Sequence, residues 1–237
     1  MTTRLPPIAF LQALRVLLAT PRLAPPQGDA GRVGRDGPDA LRIIGVGDSI
    51  IAGTGVQHLR DSLTAVYARL LHERVPSPVD GPGRGRHGAT SASLLRELVP
   101  TAPAGDLYVI SAGVNDVTRR VTPAAFGRNV AGIHAGLREK APESTFLFAG
   151  VPPLERFPAL PAPLNSLLGA QARDLQQAAA DALAGRPRTY CYCFPATVPR
   201  GDFARDGFHP AESAVLAWAG ELLALTDQDE VASCSRW

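Results

Sequence analysis

The chain has 237 residues, 45% of them hydrophobic and 19% charged, enough to bury a substantial core in one large domain. Its 24 basic and 22 acidic residues leave a formal charge of +2, and no lysine or arginine block alternates with aromatics, so nucleic acid is excluded as an expected partner. Three cysteines, Cys191, Cys193 and Cys234, make an odd count whose closest pair sits one residue apart on a strand-like run, a spacing that reaches disulfide geometry poorly; no disulfide framework is implied, and the expected compartment is the cytoplasm.

Residues 8–19 are apolar apart from Gln12 and Arg15, which lie three apart and share one side of a helix. The pattern predicts an amphipathic helix, with peripheral membrane contact through residues 5–20 as one use for it and export behind a signal peptide, with Arg4 as its charged end, as the rival. Arg15 interrupts the apolar stretch and no small-x-small cleavage pattern precedes Pro21. The span is also shorter than the about 20 residues that cross a bilayer. Residues 21–38, rich in Pro, Gly and Arg, read as a linker or an extended strap. The expected division is therefore 1–40 as an appendage, 41–228 as the domain and 229–237 as a tail.

From residue 41 the chain alternates strand-like and helix-like segments. Strands are predicted at 41–46, 106–112, 144–150 and 188–194, and helices from Thr54 through Leu71, at 123–140, at 164–184 and at about 211–225. Apolar runs joined by helices predict an α/β fold, a parallel sheet of about five strands with helices on both faces. Ligands of such sheets bind beyond the carboxyl ends of the strands. Ser49, Asn115 and the loop from Asp206 to His209 each follow a strand, so all three land on one edge.

Their chemistry is complementary. A serine hydroxyl is a weak nucleophile until a base takes its proton, and His209 is the candidate base. Asp206, three residues earlier in a turn with Gly207, reaches one ring nitrogen of His209 and leaves the other facing Ser49. The oxyanion of a tetrahedral intermediate needs preorganised donors. The backbone N–H of Ser49, expected at a helix start, is one; the side-chain amide of Asn115 and a backbone N–H in the loop Gly85-Arg86-His87-Gly88-Ala89-Thr90 are two more.

Four blocks carry a resemblance. Gly47-Asp48-Ser49, Gly88, Gly113-Val114-Asn115-Asp116 and Asp206-Gly207-Phe208-His209 follow one another as do the blocks of the SGNH hydrolase family, the GDSL esterases and lipases, which the chain resembles over about residues 41–225. The resemblance implies a flavodoxin-like three-layer α/β/α fold, metal-independent hydrolysis of carboxylic esters or thioesters without a cofactor, a triad of Ser49, Asp206 and His209, and an oxyanion hole of Ser49, Gly88 and Asn115. Ile50 replaces the leucine of the family's nickname. Gly85 competes with Gly88 for the glycine role; Gly88 is chosen because Thr90 follows after one residue, as Thr or Ser commonly does in the family.

Other readings stand beside these. Ser49 also suits a helix cap, Asp206 and Asn115 suit turns, and His209 suits an exposed surface; Asp48 and Asp116 are expected to hydrogen-bond their own loops rather than move protons. His58, His72, His87 and His134 show no metal-ligand spacing, although His87 adjoins the proposed oxyanion glycine and is a candidate for lining the pocket. Ile51 stands where G-x-S-x-G requires glycine, which argues against an ordinary α/β-hydrolase. A proline-rich loop, residues 151–161, follows the strand at 144–150, and Leu154, Phe157 and Leu160 are candidates to hold an apolar acyl chain. Arg119 and Arg120 are candidates to attract an anionic leaving group. The expected partner is a small-molecule or lipid ester, and the expected activity is an esterase for small to medium acyl chains. The alternatives are an acyltransferase, thioesterase or lysophospholipase using the same triad, or a non-catalytic binding or peripheral membrane protein.

Overall fold

The structure, a computed structural model, describes residues 6–30, 32–34, 40–75, 79–81, 83–195 and 202–233. Arg4, residues 35–38 of the expected linker, Cys234 and the end of the expected tail lie outside the described residues.

The apolar run after the linker forms β2 (Leu41–Gly47), which is followed by β3 (Val79–Asp80), β5 (Leu107–Ser111), β6 (Thr145–Phe148) and β7 (Thr189–Cys191). These five are parallel, in spatial order β3-β2-β5-β6-β7. Two short strands complete the sheet. β1 (Arg32–Val33), within the expected linker, pairs antiparallel with β3 at the edge, and β4 (Gly83–Gly85) adds to the far half of β2. Numbering the five parallel strands along the chain gives the order 2-1-3-4-5, the flavodoxin-like arrangement with its switch point between β2 and β5.

The strands are buried on both faces because their alternate side chains enter separate cores. Ile44, Val46, Tyr108, Ile110, Phe146 and Phe148 face α5 (Pro123–Lys140) and α6 (Leu164–Leu183), through Phe126, Val130, Ile133, Leu168, Ala172 and Leu175. Ile43, Leu107, Val109, Leu147 and Ala149 face α2 (Leu63–His72) and α7 (Glu212–Ser233), through Leu63, Val66, Tyr67, Trp218, Ala219 and Leu222. This is a three-layer α/β/α fold.

α5 spans its predicted limits, with Thr122 capping it and Pro123 in its first turn. The helix expected from Thr54 begins later. Gly53 and Gly55 take left-handed φ values of 75° and 106°, so the chain turns after Ser49, passes a single 3-10 turn at Leu59–Asp61 and only then enters α2. Ser49 therefore lies in a turn rather than at a helix start. α7 continues past the predicted limit at 225 into the residues assigned to a tail. The amphipathic helix is α1 (Pro7–Ala19), which packs Ala9 against the α6 side of the domain. After it the strap runs past the turn that follows β2: Gln27 N–H donates to Gln57 O (2.8 Å) and Leu59 N–H to Gln27 O (2.9 Å). No helix among the described residues is long and apolar enough to cross a membrane.

Candidate active site

The turn after β2, the turn after β5 and the loop before α7 meet at the carboxyl end of the sheet, beside the switch point. The turn after β2 is held by Asp48, whose Oδ1 accepts from Ile50 N–H (3.0 Å) and from Ser111 Oγ–H (3.0 Å) at the end of the neighbouring β5. Burial pushes the Asp48 carboxyl up to about 6, against the lowering effect of these hydrogen bonds. Asp48 thus stitches two strand ends together next to the serine. The preceding glycine, Gly47, leaves no room for a side chain between Ile51 and Ser111.

Ser49 Oγ lies 3.0 Å from His209 Nε2, and His209 Nδ1 lies 2.6 Å from Asp206 Oδ2. Asp206 Oδ1 also accepts from the backbone N–H groups of Phe208 and His209, each at 3.0 Å. An acceptor-only carboxylate on Nδ1 fixes the proton there, so Nε2 is the acceptor for the serine hydroxyl. Asp206 is almost fully buried. Burial by itself raises its carboxyl, yet the three N–H donors outweigh that and hold it below the usual carboxylate range. The loop keeps its shape through Ala204 N–H to His209 O (2.8 Å) and Gly207 N–H to Ala204 O (2.9 Å). A hydroxyl, an imidazole and a carboxylate are thus joined in one hydrogen-bonded chain.

The single turn α3 (Ser91–Ser93) follows the Gly88 loop, and Asn115 enters from α4 (Val114–Thr118), the short helix after β5. It lines the cleft beside Ser49 and spends one amide hydrogen on Ala89 O (3.0 Å), leaving the other for a ligand. The two candidate glycines separate. Gly85 belongs to β4 and pairs with Gly47 inside the sheet. Gly88 lies beyond it in a turn with φ of 70°, and its backbone N–H has no partner among the described residues. Gly88 is next to the Asn115-bound Ala89 but does not itself line the cleft. Asp116, fully buried, accepts from Ser91 Oγ–H (2.6 Å) and Ser91 N–H (2.9 Å), fastening the Gly88 loop to the Asn115 loop; burial holds its carboxyl above the usual range.

The cleft has a volume of about 380 Å³, within the size range of small-molecule sites. Of the chain's eight phenylalanines, four tyrosines and two tryptophans, six line it: Phe157, Tyr192, Phe194, Phe203, Phe208 and Trp218. Phe157 packs edge-on against Phe203 (5.2 Å between ring centres) and Phe208 (5.8 Å), and Phe194 lies 4.9 Å from Trp218. The polar end is formed by the Tyr192 hydroxyl, which donates to Glu221.

Of the three loop residues expected to hold an acyl chain, Phe157 lines the cleft, whereas Leu154 and Leu160 do not. All three reach the α6-side core, and the two leucines are buried wholly within it. His87 is likewise away from the cleft, hydrogen-bonded to Thr54 Oγ1 at 3.1 Å, and exposed Arg119 donates to Gly88 O (3.2 Å). Sequence reasoning missed Phe194, Phe203, Phe208 and Trp218; the signal available was that Phe203 and Phe208 flank Asp206 and His209. No group of three or more His, Cys, Asp or Glu side chains suited to a metal occurs among the described residues. His134 is buried against Phe146 at 4.9 Å, and its imidazole is pushed down to about 4 by burial and by Arg186 and Arg138, so it stays neutral.

Residues 46–214 match the profile of the GDSL-like Lipase/Acylhydrolase family, a span that contains Ser49, Asp206 and His209. No curated protein matches the chain. Among solved structures, the lipase Lip_vut3 from goat rumen metagenome superposes with a TM-score of 0.60 at 18% identity, covering 78% of this chain and 97% of its own. The Clostridium thermocellum family 3 carbohydrate esterase gives 0.60 at 18% identity over 82% and 98% of the two chains, and the lipase/acylhydrolase from Enterococcus faecalis gives 0.58 at 21% over 79% and 96%. Similarity at these identities establishes a shared fold.

Proposed function

The chain belongs to the GDSL-like lipase/acylhydrolase family, and from that premise we propose that it is a serine esterase cleaving carboxylic esters of small to medium acyl chains through an acyl-serine intermediate. The observation that carries the reading is the continuous relay from Ser49 Oγ through His209 to Asp206, at 3.0 and 2.6 Å.

Ser49 Oγ attacks the ester carbonyl while its proton passes to His209 Nε2. Asp206 stabilises the imidazolium and keeps the ring in place. The carbonyl oxygen becomes an oxyanion that the N–H of Ser49 and the second amide hydrogen of Asn115, both at the cleft, stabilise, with the unpartnered N–H of Gly88 as the third donor once the oxyanion reaches past the cleft wall toward it. On collapse the alkoxide leaves with the proton from His209, and the acyl group stays on Ser49. Water, deprotonated by the same Nε2, attacks the acyl carbon and releases the carboxylic acid. One ester and one water give one acid and one alcohol, and no metal is required. The aromatic walls, Phe157 with Phe203 and Phe208 and Phe194 with Trp218, favour an apolar acyl chain over a polar one.

A fluorophosphonate probe tests the relay, since it reacts with an activated serine and stays attached. The expected result is one equivalent of adduct on the peptide bearing Ser49, located by mass spectrometry, with labelling slowed by orders of magnitude in His209→Ala. An unlabelled protein, or an adduct elsewhere, overturns the reading.

A further inference from the structure

α1 is built the wrong way round for a helix that only covers a core. At 100° per residue, Ile8, Phe10, Leu11, Leu14, Leu17 and Leu18 fall on one arc of about half the circumference, broken only by Arg15 between Leu11 and Ile8. All six point to solvent, exposed by 46 to 78%. The side turned inward is narrower and carries fewer large apolar groups: Ala9, Ala13 and Val16 pack on the core, and Gln12 clasps the domain, donating to Ala162 O (2.7 Å) and accepting from Leu164 N–H (3.2 Å). Among the described residues only two other large apolar side chains are comparably exposed, and one of them, Leu167, stands in the first turn of α6, on which α1 packs. Exposed apolar surface of this kind marks an interaction site.

The charge and the fastening of the segment indicate its occupant. Between Pro6 and Gly28 the only charged residues are Arg15 and Arg22, both exposed, and no acid occurs. Two copies meeting through α1 would bring like charges together with no carboxylate to pair them, whereas anionic lipid headgroups supply the missing charge. The helix is also tied to the catalytic edge. Ala162 ends the loop that carries Phe157, Arg205 beside the triad aspartate donates to Arg22 O (3.3 Å), and Gln27 pairs with the turn beyond Ser49. Exposed Arg156 stands at the cleft itself.

We infer that the outer face of α1 is a docking surface for an anionic lipid layer, which α1 enters lying flat, with Arg15 and Arg22 at headgroup level and the cleft held beside the layer. At 13 residues, about 20 Å, the helix is too short to span the roughly 30 Å hydrocarbon core. The docking stands without the chemistry; that lipid-borne esters are the substrates it serves rests on the esterase reading above.

The test is sedimentation of the full chain with 100 nm vesicles of phosphatidylcholine containing about 30 mol% phosphatidylglycerol, and with pure phosphatidylcholine. The parent is expected to pellet with the anionic vesicles, less so with the neutral ones and less at high salt. Replacing the two most exposed leucines together, Leu17→Gln with Leu18→Gln, is expected to weaken partitioning at least tenfold while leaving turnover of water-soluble p-nitrophenyl acetate unchanged, which also shows that the variant is folded. A parent that stays in the supernatant, a double variant that pellets equally, or a parent dimer in sedimentation velocity that the double variant dissociates would each overturn the lipid assignment, the last in favour of a second copy. Ser49→Ala is expected to pellet like the parent. If it pellets but the parent hydrolyses nothing, docking survives and the esterase reading fails.

Discussion

Asp206→Asn isolates the orienting role of one carboxylate. In the parent, Oδ1 accepts two backbone N–H groups at 3.0 Å and Oδ2 accepts His209 Nδ1–H at 2.6 Å. An asparagine whose carbonyl oxygen takes the Oδ1 place keeps both backbone contacts, so the loop persists, but presents an N–H to Nδ1. His209 answers by moving its proton to Nε2, where it faces Ser49 Oγ and can no longer accept from it. The analogous exchange in serine proteases lowers turnover by about 10⁴-fold, roughly 5.5 kcal/mol of barrier, and the same loss is expected here because the same contact is inverted. Initial rates on p-nitrophenyl acetate measure it, with thermal unfolding by circular dichroism to show that the fold is retained. A folded variant that loses less than tenfold would refute the idea that Asp206 sets the tautomer.

The other contacts make separate demands. Asn115→Ala should lower kcat by about 10²- to 10³-fold with little change in KM if its free amide hydrogen serves the oxyanion; an unchanged kcat contradicts that role. Phe157→Ala opens the wall shared with Phe203 and Phe208, and should shift the preferred p-nitrophenyl ester toward longer acyl chains, whereas Leu154→Ala should destabilise the core by about 2 to 5 kcal/mol without moving that preference. Asp48 links stability to pH. Its carboxyl is raised from an ordinary 3.8 to about 6, so the folded state binds the proton more tightly. The associated stability is therefore present below pH 4 and lost as pH rises to about 6, on the order of 3 kcal/mol in all. Asp48→Asn keeps an acceptor for Ile50 and Ser111 and should gain on the parent by that amount between pH 4 and 6 in chemical denaturation; parallel curves would contradict the buried-carboxylate account.

The contacts among Ser49, His209 and Asp206 were legible because each residue is fixed by short-range sequence: Ser49 follows an apolar run, and Asp206 and His209 lie three apart, close enough for one turn to set their contact. Strand order was legible only as a class, through runs such as residues 107–110 that carry no charged side chain and so need cover on both faces. The cleft was not. Leu154, Phe157 and Leu160 share a three-residue spacing and all reach the core, yet only Phe157 also lines the site. Its other walls, Phe194 and Trp218, come from the end of β7 and from α7, so they are joined only by tertiary packing. The start of α2 was misplaced for a local reason, since apolar spacing continues through Gly53 and Gly55 while their backbone conformations do not. β1, β3 and β4, of two or three residues each, carry too little pattern to be read.

The central claim is that Ser49 is the nucleophile of an ester hydrolase. Parent and Ser49→Ala assayed side by side on p-nitrophenyl esters of increasing acyl length, without added metal, test it most directly. The account predicts turnover by the parent, greatest for small to medium acyl chains, and loss of it to the uncatalysed rate in the folded variant. Equal rates in the two proteins would contradict it.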